Sequence, residues 1–116
     1  MQTTVFFNPD CSNCRTLEGI LSERGVDADY VRYLEQAPSR EDLERVMGLL
    51  GIDDPRLMMR VKEAAYAELG LADAGPDELL AAMAANPVLI QRPIVMRGDR
   101  AVIARPPERV WEVLDE

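Results

Sequence analysis

Thr4-Val5-Phe6-Phe7-Asn8-Pro9-Asp10-Cys11-Ser12-Asn13-Cys14-Arg15 is the stretch that decides the fold. An apolar run of β-formers meets a turn-forming Asn-Pro-Asp, and then Leu17, Ile20 and Leu21 recur at helical spacing between Ser12 and Arg24. The pattern predicts a buried strand, a tight turn and a helix over Ser12 to Arg24 with Cys11 at its N-terminus. Unpaired backbone N–H groups and the positive end of the helix dipole favour an anion there, and only the thiolate of a cysteine is a nucleophile. A free cysteine has a pKa of about 8.5, which leaves it mostly protonated at neutral pH. Arg15, one helical turn on, is the first cation placed to lower it. Ser12 opens the helix, and Asn8 either orients the cysteine loop or simply forms its turn. Two plainer readings stand beside this one: Cys11 and Cys14 as an inert buried pair, or as half of a zinc site. Zinc would need carboxylates to complete its four ligands, because the chain has no His and no further Cys. No metal is expected.

Outward from that stretch, Gly25 closes the first helix and Asp29-Tyr30-Val31-Arg32-Tyr33-Leu34 predicts a second strand. Ser39 and Asp42 have the spacing of a capping box and lead into Leu43, Val46, Met47 and Leu50, with Gly51 as the stop. Residues from Asp53 to Ala85 are rich in Ala, Leu and Glu with breaks at Gly70 and Gly75-Pro76, which predicts two or three short helices ended by Asn86-Pro87. The period then changes. Ile94-Val95-Met96 and Ala101-Val102-Ile103 flank a Gly98-Asp99 turn, as in a hairpin, and Pro106-Pro107 opens a last helix carrying Val110, Val113 and Leu114. Met47, Met58, Met59 and Met83 read as core filler, Trp111 as the anchor of the last helix, and Arg56 as part of a solvated helix face rather than a fourth anion contact. The expected fold class is α/β: a thioredoxin-like mixed sheet in one domain, residues 1–116, with a helical insertion over about 53–86 between strand 2 and the C-terminal hairpin.

With 116 residues, 47% apolar and 29% charged, the composition is that of an ordinary globular domain. A net charge of −8 argues against binding nucleic acid or anionic lipid through a basic face. Among the 13 basic residues only Lys62 is not Arg, and Arg is the side chain whose planar fork suits an oxyanion. No window approaches the ~18 apolar residues of a membrane helix, and the N-terminus lacks a basic region before an apolar stretch, so a cytoplasmic protein is expected. Two cysteines in a reducing compartment suit redox or catalytic work better than a structural staple.

Five motifs in order, Asn8-Pro9-x-Cys11-Ser12-x-Cys14-Arg15, Tyr33-Leu34-Glu35-x-x-Pro38-Ser39, Arg60 with Leu69-Gly70-Leu71, Asn86-Pro87-x-Leu89-Ile90-x-Arg92-Pro93-Ile94-Val95 and Arg105-Pro106, resemble the glutaredoxin-linked arsenate reductase family almost end to end. The resemblance implies that Cys11 attacks arsenate or a similar oxyanion while Arg60, Arg92 and Arg105 hold it. Arsenate is a multiply charged tetrahedral anion, so a thiolate can reach it only where cations and N–H donors absorb the negative charge. Glutathione is implied as co-substrate with no tightly bound cofactor, glutaredoxin or thioredoxin as the reductant partner, and a monomer as the working form. Pro93 falls where thioredoxin-like folds place a cis-proline beside the reactive cysteine; its plain alternative is a strand-start proline.

Two departures bear on the chemistry. Phe7 stands where some reductases of the family have a histidine, so thiolate formation rests on arginines and the helix end. Cys14 stands where glutathione-coupled members can carry a serine, and a thiol three residues on can reach Cys11 to resolve an intermediate. Two other functions follow from the same residues: a generic dithiol–disulfide oxidoreductase using Cys11 and Cys14, and an Spx-like redox-sensing regulator of RNA polymerase. Arg60 and Arg105 have no purpose in simple disulfide exchange, and Asn-Pro before the cysteine loop fits the reductase better than the regulator.

Overall fold

The structure is a computed structural model that describes residues 2–114. In chain order it contains β1 (Thr3–Phe7), α1 (Ser12–Glu23), β2 (Asp29–Arg32), α2 (Arg40–Leu50), α3 (Ala64–Glu68), α4 (Pro76–Ala85), β3 (Ile94–Arg97), β4 (Arg100–Ile103) and α5 (Trp111–Leu114), with short 3-10 turns between several of them. Two compact units result: Met1–Gln36 with Arg92–Glu116, and Ala37–Gln91.

The first unit is a four-stranded mixed sheet in the order β2-β1-β3-β4, the thioredoxin-like arrangement expected from sequence. β1 pairs parallel with β2 across α1, and β3 pairs antiparallel with both β1 and β4. Gly98, at φ 61°, takes the first place of the two-residue β3–β4 loop, where a left-handed backbone matches the strand twist. Val5, Phe7, Val95 and Val102 from the strands pack with Leu17 and Leu21 of α1 and with Val110 and Val113 near the C-terminus in one core. α1 ends where Gly25, at φ 67°, turns the chain so that the Val26 N–H donates to Leu21 O at 2.9 Å. Trp111 anchors the C-terminal helix by lying 4.2 Å beneath the Arg24 guanidinium, a cation–π contact.

Strand 2 is shorter than its sequence suggests. β1 ends at Phe7, opposite Arg32, so nothing pairs with Tyr33 and Leu34. The chain turns there instead, with the N–H groups of Glu35 and Gln36 both donating to Arg32 O. The last helix also differs, because the turn Pro107–Val110 is 3-10 and regular α-helix begins only at Trp111.

The second unit takes in α2 as well as the helices expected over about 53–86. Ser39 and Asp42 form the anticipated capping box: Ser39 Oγ accepts from the Asp42 N–H and the Asp42 carboxylate accepts from the Ser39 N–H. Met58, Met59 and Met83 are buried, whereas Met47 is only half-buried. Arg56 is not on a solvated face. Its guanidinium donates to Tyr66 Oη and to the carbonyls of Leu71, Ala72 and Ala74 at 2.8–3.0 Å, stitching the turn around Pro55–Met58 to the segment after α3.

Leu17 has no exposed surface and sits at the centre of the first unit's core. Leu17→Ala should lower unfolding free energy by about 2–5 kcal/mol, read as a reduced urea midpoint with little change in slope.

Candidate functional site

Register alone gathers the cysteine loop and two of the three expected arginines at one end of the first unit's sheet. Phe7 ends β1 and Arg32 ends the parallel β2, so Asn8 and Tyr33 emerge side by side. β3 runs the other way, and Ile94 pairs with both Phe6 and Ile103. Arg92 and Pro93, just before β3, and Arg105, just after β4, therefore leave the sheet at this same end.

Cys11 occupies the N-cap position of α1 with extended backbone (φ −95°, ψ 124°). Its N–H donates to Asn8 O at 3.0 Å, and Asn8 Oδ1 accepts from the Asp10 N–H, so Asn8 both makes the turn and holds the loop. Cys11 is 7% exposed and Cys14 is fully buried beneath it; both are free thiols. Burial pushes the Cys11 pKa up, but the Cys14 backbone N–H, the Arg92 guanidinium and the Cys14 thiol face the sulfur and together bring it down from 9.0 to about 7. Cys14 goes the other way. Its burial and the adjacent Cys11 charge outweigh a backbone N–H from Asn8 and push it up to about 12. The outer sulfur is thus the one that ionises, in part, near neutral pH.

The other expected residues divide by place. Arg92 faces the Cys11 sulfur, which its charge stabilises as the thiolate, and lies near Tyr33. Arg105 donates from Nη1 to Arg92 O at 2.9 Å, bracing the backbone that carries Arg92. The Arg92–Pro93 bond is cis, and the Pro93 carbonyl accepts from the Ala104 N–H, so Pro93 closes the start of the hairpin. Arg15 departs from its expected role: it donates to Pro9 O at 3.2 Å and steadies the loop, while the cation on the sulfur is Arg92. Ser12 is exposed at the first position of α1. Arg60 belongs to the second unit, where its N–H donates to Leu89 O and its guanidinium lies 3.2 Å from Glu63. Phe7, in the place of the missing histidine, is a core residue packed edge-on against Tyr30 at 5.2 Å. Tyr33 is the participant that sequence reading did not assign to the site. The sequence pattern places it inside strand 2, and only the shorter β2 of the structure, ending at Arg32, brings it to the sheet end beside the cysteine loop.

A hollow of about 260 Å³ lies beside the cysteine loop, lined by Phe7, Asn8, Pro9, Asp10, Arg32, Leu34 and Glu35. Among the described residues no three Cys, Asp or Glu side chains gather in a way that could hold a metal ion, and no helix is long and apolar enough to cross a membrane.

A partly ionised N-cap thiol, a second thiol beneath it and a cis-proline loop delivering an arginine define a thioredoxin-like thiol protein equipped for an anion. Residues 6–113 match the ArsC family, and the chain belongs to it. It is 41% identical over 112 residues to an arsenate reductase of Neisseria meningitidis, a match covering 95% of this chain and 96% of that protein. An arsenate reductase of Haemophilus influenzae is 40% identical over 116 residues, covering 98% and 100%. The solved structure of an arsenate reductase from Vibrio cholerae superposes with a TM-score of 0.94 at 42% identity, covering 97% of this chain and 98% of that one.

The Cys11 pKa near 7 sets a stability window. Because folding depresses it, its stabilising contribution grows between pH 7 and 9 and is lost as pH falls through 7; Cys14, raised on folding, takes stability away above pH 9. Alkylation by iodoacetamide should label Cys11 before Cys14 with a midpoint near pH 7. Arg92→Leu should move that midpoint upward, as mass-mapped labelling rates across pH would reveal.

Proposed function

We propose that this protein reduces arsenate to arsenite, with Cys11 as nucleophile. The observation that carries the reading is the Cys11 sulfur held near neutral pKa by an arginine and backbone N–H at the start of α1. The arsenate reductases that match it over nearly their whole length support the choice of oxyanion.

The Cys11 thiolate attacks As(V) and a Cys11 S–As bond forms as the bond from arsenic to one hydroxyl oxygen breaks; that hydroxyl takes a proton from solvent and leaves as water. A second thiol then attacks the Cys11 sulfur, a disulfide forms, and the S–As electron pair stays on arsenic, which departs as arsenite, As(III). Two thiols thus supply the two electrons. Glutathione is the proposed second thiol, with glutaredoxin or thioredoxin restoring Cys11, and the hollow beside the cysteine loop offers Arg32 and Glu35 for the charged ends of a peptide thiol. Arg92, Arg105 and Arg60 are the proposed anion holders. Arg105, by also bracing Arg92, serves the site twice. The reaction is proposed to take place in the cytoplasm, by a monomer.

Dithiol exchange between Cys11 and Cys14 is the second reading, favoured by the contact between the two sulfurs. Under it Cys14 resolves the Cys11 intermediate internally and thioredoxin is the natural reductant.

Cys11→Ser should abolish arsenate reduction, since a hydroxyl cannot supply the anion at neutral pH; full activity in a coupled assay would remove the proposal. Cys14→Ser should retain turnover with glutathione plus glutaredoxin and lose any turnover that closes an internal disulfide. Equal rates with every reductant would make Cys14 a bystander. Replacing Arg60, Arg92 or Arg105 by Lys keeps the charge and loses the fork, so each should cut kcat/KM for arsenate by roughly tenfold or more, about 1.4 kcal/mol.

A further inference from the structure

One flank of α1 borders a hollow that the thiol chemistry does not use. The buried side of the helix packs against the strands and against Val110 and Val113. Its exposed Glu18, Gly19 and Ser22 line a hollow of about 610 Å³, which continues over Asp27 in the α1–β2 connection to Tyr30 of β2. β2 is also an end strand of the sheet, and among the described residues no strand pairs with its outer edge. Such an edge offers N–H and C=O groups to any extended chain.

Gly19 gives the hollow its depth. It is exposed in the middle of α1, where glycine is the poorest helix former after proline, and a Cβ there would meet no atom within 4 Å. Nothing inside the fold therefore requires the missing side chain. The ring of Tyr30 packs edge-on against Phe7 and lines the same hollow, so a side chain carried opposite Tyr30 on an added strand would enter the space that Gly19 leaves open. Charge selects that side chain. Glu18 and Asp27 border the hollow and Asp29 begins β2, whereas the bordering cation, Arg15, is turned to Pro9 O at 3.2 Å. Arg32, at the other end of β2, lies 3.8 Å from Glu35.

We propose that the outer edge of β2 and this hollow are a docking site for an extended segment of a partner protein, which adds as a fifth strand and places one Lys or Arg side chain in the hollow with Glu18, Asp27 and the Tyr30 ring. Main-chain hydrogen bonds supply the affinity and the cation supplies the specificity. Cys11, Cys14, Arg92 and Arg105 do not line the hollow, so the inference is independent of the arsenate reading.

The probe is an acetylated, amidated Thr-Val-Lys-Val-Thr peptide, titrated into isotope-labelled protein and followed through the amide NMR signals. Saturable shifts should centre on residues 15–22 and 28–32, and the counterpart with Glu in place of Lys should bind about tenfold more weakly or worse. Methylating one alternate set of the peptide's backbone nitrogens should abolish binding and methylating the other should not, as for a strand added by one edge. Gly19→Leu fills the hollow with a better helix former and should weaken the Lys peptide about tenfold, while the unfolding midpoint does not fall and the pH midpoint of Cys11 alkylation stays where it was. No saturable shift, equal binding of the Lys and Glu peptides, or full binding by Gly19→Leu would overturn the proposal. So would a dimer in sedimentation equilibrium that Gly19→Leu dissociates, which would give the edge to a second copy of this chain. Should Gly19→Leu fail to fold, Glu18→Gln combined with Asp27→Asn, both exposed, carries the same comparison.

Discussion

One negative charge on a nearly buried sulfur is the constraint from which the rest of the site follows. Burying an anion is unfavourable unless donors and a cation replace the lost water. At Cys11 the replacement comes from three sources: the backbone N–H of Cys14, the Arg92 guanidinium and the Cys14 thiol. Each requires a different part of the chain to be in place. The amide needs α1 to start at Ser12, the arginine needs the loop before β3, and the thiol needs the first turn of α1 wound tightly enough to bring Cys14 beneath Cys11.

The sheet satisfies these demands through register. β1 and β2 run parallel and β3 runs against them, so the carboxyl ends of the first two strands meet the amino end of the third. β4, returning from the hairpin, brings Arg105 back to that same end and onto the Arg92 carbonyl. Thus Gly98, remote from the cysteines, matters to the site: its left-handed backbone closes the two-residue loop that keeps Arg92 and Arg105 in step. A histidine is unnecessary in this scheme. Phe7 fills core space against Tyr30, and the charge is carried by an arginine that cannot lose its proton near neutral pH.

Most of the fold was legible because its signals are local. The Ser39–Asp42 capping box, the Gly98-Asp99 loop, Gly25 and Gly51 as helix stops and the change of period at Ile94 all act within a few residues. What sequence could not fix depends on partners far along the chain. β2 stops at Arg32 because β1 offers nothing beyond Phe7, which propensity within Asp29–Leu34 does not encode. Arg56 looked like a solvated side chain because its acceptors are the carbonyls of Leu71, Ala72 and Ala74, and carbonyls leave no trace in residue type. The site shows the same division. Cys11 could be placed at a helix start from spacing, but the cation facing its sulfur could not: Arg15 is near in sequence and bonds Pro9 O, whereas Arg92 is remote in sequence and faces the sulfur. Arg92 entered the reading through family resemblance.

The two thiols also impose an order on any chemistry they share. Cys14 is kept protonated first by its burial and then by the charge on Cys11, through both a hydrogen bond and direct repulsion. While Cys11 is a free thiolate, Cys14 is a donor to it and a poor nucleophile. Once the Cys11 sulfur enters a covalent bond it carries no charge, and both contributions from Cys11 vanish. Burial remains, opposed by the Asn8 backbone N–H and by Arg92, which has lost the anion it faced. The pKa of Cys14 must then fall. Burial is the largest of the causes and persists, so the electrostatics of the resting pair add to it and guard against premature ionisation of Cys14 without any change in the fold.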